Sequence, residues 1–345
     1  MELSRTINSD KRYYLDENTI ENAASFLQTM RVFNDAKIDL YNALYDQKYL
    51  ASGPLIDHAY PVFLKEKYKT NDYYNAAIYL AASGSISSQK ELKKYYITTI
   101  TADLKTRDEK IQTIQEALDK KKAVKNSIRI YRKDGRWVIP YPRCQLKVKG
   151  LTIVLFNKTI VKLDEYERSV EADIRKLKTR LALVTEARRR KEKKLENIKN
   201  LPPERIVFGG KKLYSEKDTV GITKSAEDNK TSQKALKEWK QEFFEKRHQS
   251  MALPGRHTSK YGNFLCKYDG KDLSVACIDG TTTVFHDFKL PRYNEAFQNN
   301  FTCKPEDRQS LCYNFTVKRD RKNRQYIIVS VTMKLQAYEN SYYGN

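Results

Sequence analysis

The segment DEYERSVEADIRKLKTRLALVTEARRRKEKKLENIKN, residues 164–200, contains no glycine or proline and is followed by Pro202 and Pro203. It predicts one uninterrupted α-helix, about 55 Å long at 1.5 Å per residue. Apolar side chains recur along one face at three- and four-residue spacings, and they are Val170, Ile174, Leu177, Leu181, Val184, Leu195 and Ile198. Arg188 and Lys191 fall on the same face and interrupt this apolar seam.

The middle of this predicted helix is strongly basic. Six cations occur within seven residues, with Glu192 as the only acid among them, and they are Arg188, Arg189, Arg190, Lys191, Lys193 and Lys194. A charge run of this kind can simply be a solvated helix face. We interpret it as a nucleic-acid contact because two of its members lie on the seam, where a merely packed helix would keep apolar residues, and because phosphates are the groups that such a cluster neutralises best.

The whole chain has the same bias. Its formal net charge is +22, from 65 Lys and Arg against 43 Asp and Glu, which favours a polyanionic partner over a basic surface that only aids solubility. The 24 tyrosines suit base stacking beside basic residues, although most should be half-buried packing residues.

Several classes of protein are disfavoured by composition. The five cysteines never form a CxxC pair, and the four histidines are scattered, which argues against a zinc ribbon, a disulfide framework and a histidine metal centre. The amino terminus lacks an apolar signal region, and no apolar run approaches the ~18 residues of a membrane span. We therefore expect a cytoplasmic protein with reduced thiols, no bound cofactor and no membrane contact.

The stretch RIVFGGKKLY, residues 205–214, resembles a phosphate loop only superficially. A Walker motif needs spaced glycines and a Ser or Thr directly after its lysine, whereas Gly209 and Gly210 are adjacent and Leu213 follows Lys212. The residues alone predict a turn in which glycine supplies positive φ, flanked by solvated lysines.

After a short extended segment at the amino terminus, the chain is predicted to be helical to about residue 125. Apolar periodicity indicates one helix over residues 20–45 and a second helical region over 56–83. Ser88 and Glu91 have the spacing of a capping box, which predicts that another helix starts there and continues to the lysines at 120–122. Residues 127–163, rich in β-branched and aromatic side chains, predict two or three short strands.

The carboxy-terminal part predicts strands separated by tight turns. These strands are FLCKYD, LSVACID, TTVFHDF, LCYNFTVKRD and RQYIIVSVTMKL, in the range 264–335. Asp269-Gly270 and Asp279-Gly280 are the predicted turns. Together with the helices, they indicate an α+β protein with a small antiparallel β-barrel that is split by a helical insertion. We expect its first strand, within residues 1–15, to pair with strands formed after residue 260.

Taken in order, several stretches resemble the TnpB (OrfB) proteins of insertion sequences, which are associated with transposition and are relatives of the type V CRISPR effectors. The matching pieces are YNALYD, YKTNDYYNAAIYLAASGSISSQKELKKYY, IVFGGKKLY, EWKQEFFEKRHQ, SKYGNFLCKYD, VFHDFKLPRY and YNFTVKRDRKNRQYIIVSVTMKL, between residues 41 and 335. No single piece is decisive, but their order covers nearly the whole chain.

The resemblance implies a wedge-type β-barrel interrupted by a helical recognition lobe, with a guide RNA and a double-stranded DNA target as partners. The implied segments are a first barrel strand (1–15), a helical lobe (16–127), short strands (128–162), a long basic helix (163–201), a signature turn with linker and helix (202–260) and carboxy-terminal barrel strands (261–345). Lys211 and Lys212 would contact phosphate, and Tyr214 would anchor the turn. We also assign Arg256, Lys260 and Asn263 to the nucleic-acid interface.

The chain departs from the family at its carboxyl end. Family nuclease activity comes from an RNase H-like domain, in which three carboxylates bind metal ions after a Gly-x-Asp strand, and from a zinc ribbon that follows. This chain stops at AYENSYYGN, where that strand would begin. Asp269, Asp272, Asp279 and Asp287 are interpreted as structural residues, so we expect no cleavage by residues 1–345 and a need for Mg²⁺ only in the missing nuclease domain.

Three hypotheses remain open on the sequence alone. The first is the nucleic-acid-binding part of a TnpB-like RNA-guided endonuclease, acting as a fragment or beside a separate nuclease half. The second is a stand-alone RNA-guided regulator that binds DNA without cutting it. The third is a basic coiled-coil protein that binds RNA in a structural role, which heptad-driven oligomerisation would favour.

Overall fold

The chain alternates helical and β segments, and a computed structural model describes residues 2–51, 59–155, 158–217 and 226–336. The strands in these ranges are β1 (Glu2–Asn8), β2 (Tyr13–Tyr14), β3 (Ile20–Glu21), β4 (Lys147–Lys149), β5 (Thr152–Val154), β6 (Ile160–Lys162), β7 (Ser250–Leu253), β8 (Cys266–Tyr268), β9 (Leu273–Ala276), β10 (Thr282–Phe285), β11 (Cys312–Arg319) and β12 (Gln325–Gln336). The α-helices are α1 (Ala23–Tyr45), α2 (Tyr60–Tyr68), α3 (Asp72–Asp134), α4 (Leu163–Asn200), α5 (Lys211–Ser215), α6 (Ala226–Arg247) and α7 (Asn294–Thr302). This mixture of helices and antiparallel sheets confirms the α+β class.

The chain divides into two compact units. The first comprises Met1–Ser88 and Glu204–Asn345, and the second comprises Gln89–Pro203. None of the described helices is long and apolar enough to cross a membrane.

The largest sheet of the first unit is built on the hairpin of β11 and β12. Its strand order is β1-β12-β11-β7, and β2 also pairs with β12. β1 runs antiparallel to β12 from the pair Glu2–Gln336 to the pair Asn8–Ser330. The predicted pairing of the first 15 residues with a strand beyond residue 260 is therefore confirmed.

A second antiparallel sheet, of order β3-β10-β9-β8, shares its core with the first sheet and with α1. Phe26 of α1 joins the two sheets, because its ring lies 5.2 Å from that of Phe285 on β10 and 4.9 Å from that of Phe315 on β11. These are edge-on aromatic contacts, which favour one fixed arrangement of the rings. All five cysteine thiols are free, and Cys266 and Cys277 are buried in this core.

The predicted closed barrel is not what the described strands form, because they make open sheets. Asn263 connects backbone segments of the first unit. Its side-chain amide donates to the carbonyls of Leu253 and Leu311, both at 3.1 Å, and its Oδ1 accepts from the N–H groups of Leu265 and Cys266 at 2.9 and 3.1 Å. One buried side chain thus bonds backbone groups from three segments of the chain.

The predicted helix start at Ser88 is wrong, since α3 continues without a break from Asp72 to Asp134. The serines of this stretch are accommodated inside the helix: the hydroxyl of Ser83 donates to the carbonyl of Tyr79 at 2.7 Å, and that of Ser85 donates to Ala81 at 2.8 Å. Serine that bonds one turn back does not need to act as a cap. Burial of Ile86 then favours a continuous helix.

The predicted β character of residues 127–134 is also wrong, because they form the last turns of α3. Ile128 is fully buried in a second apolar cluster together with Ile153 of β5 and Val170 of α4, and this packing overrides the local β propensity. Gly135, at φ 64°, ends the helix by donating to the carbonyl of Tyr131. Three short strands, β4 to β6, do follow within the predicted region.

Candidate nucleic-acid interface

Positive charge is concentrated in the second unit. Residues 89–203 contain 31 Lys and Arg against 15 Asp and Glu, which gives +16 of the chain's +22. The remaining 230 residues carry only the other +6. The positive charge is therefore unevenly divided between the two units.

The second unit contains an antiparallel pair of helices, formed by α4 and the part of α3 from Gln89 onward. Ion pairs between the helices show this orientation, because the α3 residue number falls as the α4 residue number rises. The pairs are Arg132–Glu167 (2.8 Å), Lys125–Glu171 (2.6 Å), Lys121–Asp173 (2.6 Å) and Asp108–Arg188 (2.5 Å). At the far end, Lys93 donates to the carbonyl oxygen of Leu201 at 2.9 Å, just past the end of α4. We call this pair the helical hairpin.

The apolar half of the α4 seam is packed within the hairpin. Val170 and Ile174 are buried, and Leu177 and Leu181 pack against the same cluster. The buried part of the seam thus has its partner in the same chain. The predicted long helix is confirmed, with α4 covering Leu163–Asn200.

The two cations on the seam form ion pairs within the hairpin, although their side chains are 31% and 40% exposed, so their contact with a polyanion stays a prediction. Arg188 lies between Asp108 of α3 and Glu192 of α4, and Lys191 lies 3.1 Å from Asp103 of α3. The Lys191 ammonium, with Arg107, lowers the pKa of Asp103. The charged part of the seam is therefore matched by acids on α3, which the spacing of α4 alone could not reveal.

The other cations of the cluster point to solvent. The side chains of Arg189 and Arg190 are 71% and 77% exposed, and both donate to Glu186, whose pKa they lower to about 2. Lys193 and Lys194 are also exposed. Since one carboxylate cannot neutralise two guanidinium groups, this outer face keeps a net positive charge that phosphates can use. A shallow depression of about 370 Å³ borders it, lined by Glu186, Arg190 and Lys194 among others.

The turn at residues 205–214 is built as the sequence predicts, with Gly209 at φ 99° and Gly210 at φ 100°. A Cβ at Gly209 would lie 2.8 Å from Cε2 of Phe243, so this position also needs the absence of a side chain. Trp239 of α6 donates from its indole to the carbonyl of Leu213 at 2.7 Å. Leu213, which is buried, therefore anchors the turn.

The basic and aromatic side chains of this turn are exposed. Tyr214 is 47% exposed, and its ring is tilted against that of Phe243 at 5.8 Å between centroids, whereas the buried Leu213 anchors the turn. Lys211 is paired with Glu204, and Lys212 is exposed. Lys212 and Tyr214 are thus positioned where they could contact a polyanion.

The three remaining predicted contacts separate into two groups. Arg256 and Lys260 are exposed. Asn263 is only 1% exposed, and its amide bonds to backbone groups as described above. Asn263 is therefore a structural residue and not a nucleic-acid contact.

The acids considered for metal binding have structural partners. Asp269 accepts from the N–H groups of Lys271 and Asp272 at 2.9 and 2.7 Å, and Asp279 accepts from the N–H and hydroxyl of Thr281 at 2.9 and 2.7 Å. Both are turn residues, as predicted.

Asp272 and Asp287 also bond to residues of the first unit. Asp272 accepts from the N–H of Asp287 at 2.8 Å and lies 3.0 Å from Nδ1 of His286. These hydrogen bonds lower the pKa of the Asp272 carboxyl, and the bond to Asp272 raises the pKa of the His286 imidazole. Asp287 pairs with Lys11 at 3.1 Å. Across the described ranges, there is no group of three or more His, Cys, Asp or Glu side chains arranged to hold a metal ion.

Comparisons with protein-family models, with curated proteins and with solved structures gave no match. Function is therefore inferred from the residues of this chain. Sequence reasoning missed one further basic feature: between Asp134 and Asp164 the chain has six Lys and Arg and not one Asp or Glu. A running count of charge along the sequence would have found it.

Proposed function

We propose that this chain is the nucleic-acid-binding part of an RNA-guided protein of the TnpB type. In this proposal the helical hairpin holds the phosphate backbone of a guide RNA, and the guide pairs with one strand of a double-stranded DNA target. The observation that carries the proposal is the concentration of +16 in the second unit, with Arg189, Arg190, Lys193 and Lys194 exposed on one stretch of α4.

The division of charge within α4 supports a polyanion as the ligand. Seam cations are paired with acids of α3, whereas the outer Arg189 and Arg190 share one acid, Glu186. A surface selected only for solubility has no need for such an arrangement. Each phosphate that an outer cation neutralises releases counterions, so binding is expected to weaken steeply with salt.

The connectivity of the first unit supports the wedge-type architecture. Its first strand pairs with its last described strand, although more than 300 residues separate Asn8 from Ser330, and the long helices lie between them in sequence. This is the connectivity of a β domain with a helical insertion. The wedge would hold the RNA together with the turn at Lys212 and the exposed Arg256 and Lys260.

The coiled-coil alternative is less well supported. Its oligomerisation needs a free apolar seam, but Val170, Ile174, Leu177 and Leu181 of α4 pack within the same chain. The alternative of a regulator that binds without cutting shares the same binding surfaces, and the two differ only in whether a nuclease domain acts with this chain. The acids at 269, 272, 279 and 287 do not fit a two-metal site, because they bond to turns, to His286 and to Lys11.

The deciding experiment is to purify the chain from its native host at moderate salt and sequence the RNA that accompanies it. Enrichment of one RNA species, encoded beside the gene and able to direct the protein to a matching DNA duplex, is the expected result. A mixture of unrelated RNAs would favour the structural RNA-binding protein. Absence of RNA, together with salt-independent behaviour on an RNA column, would refute nucleic-acid binding.

A further inference from the structure

The small sheet of the second unit has two chemically different faces. Residues directly opposite one another in antiparallel strands lie on the same face, and the register aligns Val148, Ile153 and Val161 in one row. Ile153 is fully buried, and Val148 and Val161 pack against the apolar cluster of the hairpin. This row is the inner face.

The two neighbouring rows form the outer face. One row is Lys149–Thr152–Lys162, and the other is Lys147–Val154–Ile160. The three lysines are exposed, and Ile160 is 66% exposed. Within the described part of the chain, no carboxylate lies within ion-pair distance of these lysines, in keeping with the absence of any acid between Asp134 and Asp164.

The spacing of the lysines suits a phosphate backbone. Lys147 and Lys149 are about 7 Å apart along their strand, and Lys149 and Lys162 are about 10 Å apart across two strand spacings. The sheet is too wide to enter a narrow groove. Among the described strand residues of its outer face, there is no aromatic ring on which an unpaired base could stack. A flat, basic face without stacking groups is suited to the backbones that border the wide, shallow minor groove of an RNA duplex.

We propose that the outer face of β4–β6 docks a double-stranded RNA stem through its phosphates, as a second contact separate from the outer face of α4. This inference rests on the proposed function, since the stem would belong to the bound RNA. The lysines supply charge without base specificity, so the face reads the shape of a duplex and not its sequence.

The test uses the full chain and an RNA duplex of about 20 base pairs with no sequence relation to the host. The variant K147Q/K149Q/K162Q removes the three charges. K65Q/K67Q/K69Q is the matched control, because these three exposed lysines lie on or just after α2, outside the hairpin, the sheet and the turn that are assigned to RNA. We expect the first variant to raise the Kd for the duplex at least about fivefold and to reduce the salt slope by about 2 to 3. The control should change the Kd less than about twofold.

A second variant, Ile160→Lys, adds a cation to the same face and should tighten duplex binding. If the sheet variant binds the duplex like wild type while R189Q/R190Q weakens it, the sheet proposal is wrong and the proposed function stands. If neither variant matters, because wild type binds no RNA, the proposed function fails first. The assignment to an RNA stem would also be overturned if the sheet variant lost affinity for a B-DNA duplex by the same factor, or if it lost affinity only for phosphatidylserine vesicles.

Discussion

Arg188 of α4 donates from Nε to Oδ1 of Asp108 on α3 at 2.5 Å, while its neighbours Arg189 and Arg190 turn outward to share Glu186. The three consecutive arginines therefore have two different roles. One holds the helical hairpin together, and the other two leave positive charge in solvent. Substitutions at these three positions should therefore have different effects on stability and on RNA binding.

Replacing the outer pair, R189Q/R190Q, should weaken RNA binding and reduce the slope of log K against log salt by about 1.4 to 1.8, since two phosphate contacts are lost. The thermal midpoint should stay unchanged, because both side chains are more than 70% exposed. Fluorescence anisotropy with a labelled RNA over a salt series measures the slope.

The contrasting variant is Arg188→Gln. It breaks a partly exposed ion pair between the helices, which we expect to cost about 0.5 to 1 kcal/mol of unfolding free energy while affecting RNA affinity less than the double variant does. An Arg188→Gln protein with unchanged stability but RNA affinity as weak as R189Q/R190Q would place Arg188 in the interface after all.

Gly209 and Gly210 allow a matched test of steric need, because they have nearly the same φ. Gly210→Ala introduces backbone strain only, on the order of 1 kcal/mol, since the added Cβ would meet nothing within 4 Å. Gly209→Ala should cost clearly more, because its Cβ would clash with Phe243, whose ring is stacked on Trp239. Urea unfolding of both variants measures the difference, and equal costs would mean that the Phe243 ring moves aside freely.

Asn263 is expected to control stability and not nucleic-acid affinity. Asn263→Ala leaves the backbone groups that it bonds without partners, and should cost about 2 to 4 kcal/mol. Asn263→Asp keeps the shape but turns an acceptor toward the carbonyls of Leu253 and Leu311, so it should be at least as damaging. RNA affinity per folded molecule, measured at a temperature where the variant is folded, should be unchanged; a selective loss of affinity would restore Asn263 to the interface.

Lys37 of α1 should make stability depend on pH in the alkaline range. Burial lowers the pKa of its ammonium from 10.5 to about 8, so folding releases a proton between these two values. Because the unfolded chain then binds more protons, stability rises with pH across this window.

Against Lys37→Met, the wild type should therefore gain up to about 3 kcal/mol between pH 8 and 10.5, measured by chemical unfolding at each pH. Lys48→Met, at an exposed lysine just after α1, is the control and should show no such relative change. A constant difference between Lys37→Met and wild type across the window would show that the Lys37 ammonium is solvated in the folded protein.

Elements set by local periodicity were predictable from the sequence. The helix of residues 164–200 follows from 37 residues without a breaker, and the strands between residues 264 and 335 follow from β-rich segments punctuated by Asp-Gly turns. The turn at Gly209 and Gly210 follows from the tolerance of glycine for positive φ. The positive charge of the protein, and with it the expectation of a polyanionic partner, also needs nothing beyond composition.

Only the tertiary structure decided which residues are paired or buried and which remain exposed to a ligand. Arg188 and Arg189 are adjacent in sequence, but Asp108 lies 80 residues away, so no local pattern could tell which arginine is neutralised. Asn263 in a basic, loop-like stretch resembles a surface contact until backbone groups from three segments are seen to converge on it, and residues 127–134 become helical because Ile128 is buried against β5 and α4. Pairing and burial depend on partners distant in sequence, and these override local propensity because the free energy of burying a group exceeds the small preferences of a single residue.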